Sequence, residues 1–180
     1  MREVAAPTDA TGLRSLIRDV PDFPKPGIVF KDITPLLANA DAFAAVTHEM
    51  AQPWVRDGVT HVVAIESRGF ILGGPIAQRL GVGLVPMRKP GKLPGVCLRE
   101  AYGLEYGTDA LEVHVDAMPV GSRVVVVDDV LATGGTAAAA CRLIGALGST
   151  VVGCAFLIEL DALGGRSHLT GRRVEALLRY

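Results

Sequence analysis

The residues with the most chemical potential occupy positions 124–136 and read VVVVDDVLATGGT. Asp128 and Asp129 place two carboxylates side by side, and small residues follow at Ala132, Thr133, Gly134, Gly135 and Thr136. Glycines in such a loop let the backbone turn tightly and bring its N–H groups up to a ligand. The alanine run at 137–140 begins a helix, and a helix N-terminus adds partial positive charge. Loop and helix start together describe a phosphate cradle. Carboxylates beside it would repel an anion unless they accept hydrogen bonds from sugar hydroxyls or hold a cation. A phosphorylated ribose meets both requirements.

Other phosphate-binding loops fit less well. The segment has no lysine at the Walker A position and no G-x-G-x-x-G, and it lies late in the chain. A plain glycine turn would not need two carboxylates before it and threonines on both sides. A second candidate loop is Ser67-Arg68-Gly69 after the apolar run HVVAI. Arg68 offers a planar fork of donors suited to phosphate oxygens. Two such loops at the ends of parallel strands would face one crevice.

The elements that must position these loops can be read from the apolar pattern. Four consecutive valines suggest a strand buried on both faces, as in a parallel sheet. Strands are expected at 61–65, 83–87, 122–127 and 150–159, with helices at 69–80 and 136–147. Earlier, Leu13, Leu16, Ile17 and Val20 fall at helical spacing up to Pro21, and Phe43, Val46, Met50 and Trp54 make a second helical stripe. Between them, 21–27 reads as a stiff proline-rich loop, followed by the short apolar piece 28–30. Residues 88–107 form a long, polar, glycine-rich passage, read as a functional loop, a β-arm or both. Leu111, Val113 and Val115 alternate as in a half-exposed strand, and the tail after Asp161 fits a short helix and a final strand. Alternating strands and helices predict an α/β fold, a central mostly parallel sheet flanked by helices, in a single domain over 1–180.

The formal net charge is -1 and apolar residues make up 49 % of the 180-residue chain. No basic stripe argues for nucleic acid, and the balanced charge does not favour a membrane surface. Cys97, Cys141 and Cys154 have no metal-ligand spacing and read as reduced thiols. The first residues lack the apolar core of a signal peptide, so the expected location is the cytoplasm. His48, His61, His114 and His168 follow no ligand spacing.

Further pieces carry a resemblance: PDFPKPGIVFKDITPLL at 21–37, ESRGF at 66–70, RKPGKLP at 88–94 and LEYG at 104–107. With the acidic pair and T-G-G-T, in this order over about 12–160, the chain resembles the adenine phosphoribosyltransferases of the type I phosphoribosyltransferase family. The resemblance implies a small N-terminal hood over about 1–37 and a flexible catalytic loop over about 88–107. It implies adenine and phosphoribosyl pyrophosphate as substrates, AMP and pyrophosphate as products, and a homodimer. Adenine would lie on Phe30, with backbone groups of Val29 and Lys31 at its edge; Phe30 could equally be core. Many relatives carry arginine where this chain has Lys31, a change that a backbone contact tolerates.

Arg68, Lys89 and Lys92 would serve the pyrophosphate end, with ordinary loop lysine an equal reading for Lys92. Asp128 and Asp129 would fix the ribose diol, while Ala132, Thr133, Gly134, Gly135 and Thr136 would hold the 5-phosphate. Glu105 would be the general acid or base and Tyr106 would close over the leaving group, with Arg68 also assigned to catalysis. Magnesium would enter with phosphoribosyl pyrophosphate. No residue set is assigned as its direct cage, and Asp128 and Asp129 would reach it through substrate or water. Two alternatives stay open: an enzyme for hypoxanthine, guanine or xanthine, and a non-catalytic sensor of phosphoribosyl pyrophosphate.

Overall fold

A computed structural model describes residues 10–104 and 107–180. The chain divides into two compact units, Met1–Glu49 and Met50–Tyr180. In the first, helix α1 (Ala10–Ser15) is followed by strands β1 (Arg18–Pro21) and β2 (Val29–Asp32), then helices α2 (Thr34–Ala38) and α3 (Ala40–Ala51), which runs across the division. The apolar spacing through Val20 predicts one helix up to Pro21, but α1 stops at Ser15. Residues 18–21 pair antiparallel with β2 instead, with Val20 opposite Phe30. The hairpin partner is distant enough in sequence that a local helical spacing cannot register it. The loop between these strands is held by a Gly27 N–H to Asp22 Oδ1 bond of 2.7 Å. Asp32 then accepts the Thr34 N–H at 2.9 Å and the Thr34 hydroxyl at 2.9 Å where α2 begins.

The second unit is built on five parallel strands, β3 (His61–Ile65), β4 (Gly83–Met87), β7 (Arg123–Leu131), β8 (Thr150–Glu159) and β9 (Arg173–Arg179), in the order β4-β3-β7-β8-β9. The expected α/β architecture with a parallel central sheet is therefore observed. Val124, Val125, Val126 and Val127 have no exposed surface, because β3 and β8 flank them and both faces are covered. Helix α4 (Arg68–Leu80) packs against β3 and β7, so closely that a Cβ on Gly73 would meet the Ala64 Cβ at 2.6 Å. Helix α5 (Gly135–Ala146) shares a core with the alternate set Val63, Val124, Val126, Cys154 and Phe156, the residues of one sheet face. After α3, Phe43-spaced apolar residues end in a tight 3₁₀ turn, Gln52–Trp54, rather than a longer helix.

Strands β5 (Cys97–Leu104) and β6 (Gly107–His114) form an antiparallel hairpin, so the long passage is in large part a β-arm. Its inward residues Leu111 and Val113 are fully buried, whereas Val115 lies beyond the strand and is exposed. Strand β7 runs to Leu131, past the expected end at 127, so the acidic pair lies inside the strand. Pairing of Val130 with Ile158 and Leu131 with Glu159 on β8 carries it on past the apolar run. The tail folds into short 3₁₀ turns, Asp161–Leu163 and Gly165–Leu169, before β9. Among the described residues no helix is long and apolar enough to cross a membrane.

Candidate active site

From β3 the chain passes through α4 to β4 on one side, and later returns as β7 on the other side of β3. The carboxyl ends of β3 and β7 thus bound a topological switch point, where open parallel sheets bind ligands. Both candidate loops lie there. Arg68 is the first residue of α4, directly after the β3 loop, and its Nε donates to Asp129 Oδ2 on β7. Asp129 is 4 % exposed, and the half-exposed Arg68 guanidinium is a counter-charge for it. The helix start can come this close to β7 because residue 69 is glycine. A Cβ there would sit 2.9 Å from the Val127 carbonyl oxygen and 3.0 Å from Asp128 Oδ1.

Asp128 is half-buried and its Oδ1 accepts the Asp129 N–H at 2.9 Å. Burial, and then the neighbouring Asp129 carboxylate, push its carboxyl well above the usual carboxylate range. Beyond the pair, Ala132, Thr133, Gly134 and Thr136 line a small cavity of about 60 Å³ with Asp128 and with Phe156 of β8. Gly134 stands before α5 with a left-handed φ of 86°, and no side chain caps the helix. The first-turn N–H groups of a helix have no partners within it, so this end of the cavity is a donor surface.

Residues 30–171 match the phosphoribosyl transferase domain. The chain is 56 % identical over 168 residues to an adenine phosphoribosyltransferase from Methylococcus capsulatus, covering 93 % of this chain and 98 % of that one. The chain belongs to the adenine phosphoribosyltransferases. Its fold matches the crystal structure of the Rhodothermus marinus adenine phosphoribosyltransferase with a TM-score of 0.91 at 51 % identity, covering 95 % and 98 % of the two chains. It also matches the Saccharomyces cerevisiae enzyme, solved with an imino-altritol bisphosphate and adenine, with a TM-score of 0.88 at 40 % identity, covering 94 % and 98 %.

Within this phosphoribosyltransferase the remaining candidate residues are distributed as follows. Lys89 does not extend freely: its Nζ donates to Asp109 Oδ2 and to the Tyr102 hydroxyl at 3.0 Å. Lys92 is exposed, and its carbonyl accepts Arg88 Nη1 at 2.9 Å. Val29, Phe30 and Lys31 lie in β2 of the first unit, with Phe30 half-buried and edge-on to Phe23 at 5.2 Å between ring centroids. Lys31 Nζ donates to Asp19 Oδ1 at 2.6 Å. Glu105 and Tyr106 lie outside the described residues.

Three features escaped the sequence reading. Glu66, quoted only as part of ESRGF, accepts the Lys89 N–H at 2.9 Å and the Arg88 fork at 3.2 and 3.3 Å. Burial alone would raise its carboxyl, but the Lys89 N–H and the Arg88 guanidinium outweigh that and hold it below its ordinary value. Asp109 and Tyr102, the partners of Lys89, come from the arm and carried no motif signal. Finally, Gly165 of the tail packs on the cradle: a Cβ on Gly134 would collide with the Gly165 carbonyl.

Proposed function

We propose that the crevice joins adenine to phosphoribosyl pyrophosphate, giving AMP and pyrophosphate. The observation that carries this is the Arg68–Asp129 pair, which links a cation loop to a carboxylate-and-cradle loop at one switch point. As pyrophosphate leaves, the ribose gains oxocarbenium character and a ring nitrogen of adenine attacks the opposite face of the anomeric carbon. Arg68 and Lys89, with Lys92 beside them, would neutralise the departing charge. Lys89 would first exchange Asp109 and Tyr102 for a pyrophosphate oxygen. Asp128 and Asp129 would hold the ribose hydroxyls, and Ala132, Thr133, Gly134, Gly135 and Thr136 would hold the 5-phosphate. Phe30 would stack on adenine while backbone groups of Val29 and Lys31 meet its edge.

Among the described residues no three His, Cys, Asp or Glu side chains gather into a metal cage. The adjacent carboxylates supply hard oxygens, which fit a magnesium ion held by substrate and water beside them. Asp128 and Asp129 would reach it through substrate or water, and its chemistry there would be charge neutralisation on the pyrophosphate. The same reading takes the enzyme to be a cytoplasmic homodimer.

Glu105 would manage the purine-ring proton and Tyr106 would close over the leaving group. Glu105→Ala is then expected to lower turnover on the order of 10²-fold, the scale of a lost general acid or base. The Michaelis constant for phosphoribosyl pyrophosphate should change far less, and unchanged turnover in steady state would remove Glu105 from this role. The reading as a whole is tested by mixing the protein with phosphoribosyl pyrophosphate, magnesium and, separately, adenine, hypoxanthine, guanine and xanthine. AMP from adenine as the preferred product is the expected result. Absence of AMP would overturn it, in favour of another base or of a sensor that binds without turnover.

A further inference from the structure

The segment after Asp161 matched no motif, yet it carries one of the best-defined ion pairs in the chain. Glu159, at the end of β8, has a carboxylate only 4 % exposed. Arg166 grips it with both arms of its fork, Nε to Oε1 at 2.7 Å and Nη2 to Oε2 at 2.8 Å. Its third nitrogen, Nη1, donates to the Val174 carbonyl on β9 at 3.0 Å. Arg179 approaches the same carboxylate at 3.6 Å. A planar fork on a buried carboxylate fixes position and angle at once, as a lysine could not.

Arg166 lies in the 3₁₀ turn Gly165–Leu169, and the backbone of that turn packs closely on the cradle. A Cβ on Gly165 would collide with the Ala132 carbonyl, and one on Gly134 with the Gly165 carbonyl. Leu169 anchors the far end of the turn in the core shared with α5. On the opposite side, the Leu160 N–H donates to the Leu131 carbonyl at 3.0 Å. The loop that carries Ala132 and Gly134 is thus braced by the residues next to the ion pair.

We propose that Arg166 and Glu159 are positioning residues for the 5-phosphate cradle. Their fork holds Gly165 against Ala132 and Gly134, and so sets the spacing of the loop N–H groups. This inference rests on reading 132–136 as the 5-phosphate site. A misplacement of such donors by a fraction of an ångström weakens a phosphate contact without touching the reacting atoms.

The test is steady-state kinetics on Arg166→Ala and Arg166→Lys, with Gly134→Ala as the direct probe of the cradle. Arg166→Ala is expected to raise the Michaelis constant for phosphoribosyl pyrophosphate about tenfold, with turnover and the adenine constant within about twofold. Arg166→Lys should recover only part of the loss, because the ammonium cannot make the fork. Affinity for AMP, which carries the 5-phosphate, should fall in parallel, and affinity for pyrophosphate alone should not.

If Arg166→Ala does not fold, Glu159→Gln reads the same split with the shape of the pair preserved. Unchanged phosphoribosyl pyrophosphate constants in these variants would overturn the proposal while Gly134→Ala still weakened binding. Equal changes in turnover and in both substrate constants would overturn it too, since that is the mark of general loosening. Normal binding in Gly134→Ala, which displaces the loop N–H groups, would instead remove the cradle reading, and the proposal with it.

Discussion

Arg68→Ala should lower kcat/KM for phosphoribosyl pyrophosphate by about 10²–10³-fold, the usual loss when one preorganised charge donor is removed from a transition state. The guanidinium is placed for this by two constraints outside itself. Gly69 lets the first turn of α4 press against β7, and Asp129 takes Arg68 Nε from across the crevice. Removing Arg68 also leaves the nearly buried Asp129 carboxylate without this counter-charge. The cost in stability should be about 1–2 kcal/mol, below that of a fully buried pair because water reaches the 41 %-exposed Arg68. Arg68→Lys should restore the stability more than the rate, since charge returns but the fork does not. Steady-state rates with varied phosphoribosyl pyrophosphate, alongside thermal melts, measure both. A kcat/KM within about threefold of the parent would remove Arg68 from the leaving-group end.

The second large effect is expected at Gly134. Alanine there must adopt a φ of 86°, which L side chains rarely accept, and its methyl group would collide with the Gly165 carbonyl. Strain and overpacking together should cost about 2–4 kcal/mol. The loop can relieve this only by leaving Gly165, which spoils the alignment of the helix-start N–H groups. The Michaelis constant for phosphoribosyl pyrophosphate should therefore rise about 10²-fold, with a lower melting temperature. Gly74, inside α4 with nothing within 4 Å of its Cβ position, supplies the comparison. Gly74→Ala should leave binding unchanged, so a matching loss there would point to indiscriminate loosening. Normal substrate binding in Gly134→Ala would mean that the loop does not hold the phosphate.

Both effects depend on residues that the sequence already singles out, but for reasons that it only half contains. The valine run at 124–127, the HVVAI run at 61–65 and the long apolar run at 150–159 mark the central strands because full burial on both faces leaves no polar alternation. The acidic pair and T-G-G-T point to a sugar-phosphate loop in the sequence because few other uses need that combination, and the proposed function rests on that reading. Where the pattern was short or local it misled. Leu13 to Val20 has helical spacing, yet its second half pairs with β2. The strand expected at 122–127 ends with the valine run, whereas pairing with β8 extends it through Leu131.

The sequence by itself determined the parallel sheet, the two strand-to-helix loops and the family to which they belong, since each rests on residue types close together in the chain. Tertiary structure decided how those loops are joined. Arg68 and Asp129 meet across 61 residues. Lys89 finds Asp109 and Tyr102 only when the arm folds back, and Glu66 then grips the start of the same segment. Gly165 and Gly134 meet because two backbones pack without side chains between them. These are pairings at long separation, or contacts made through carbonyls that every residue carries, and neither leaves a signature in local composition or period.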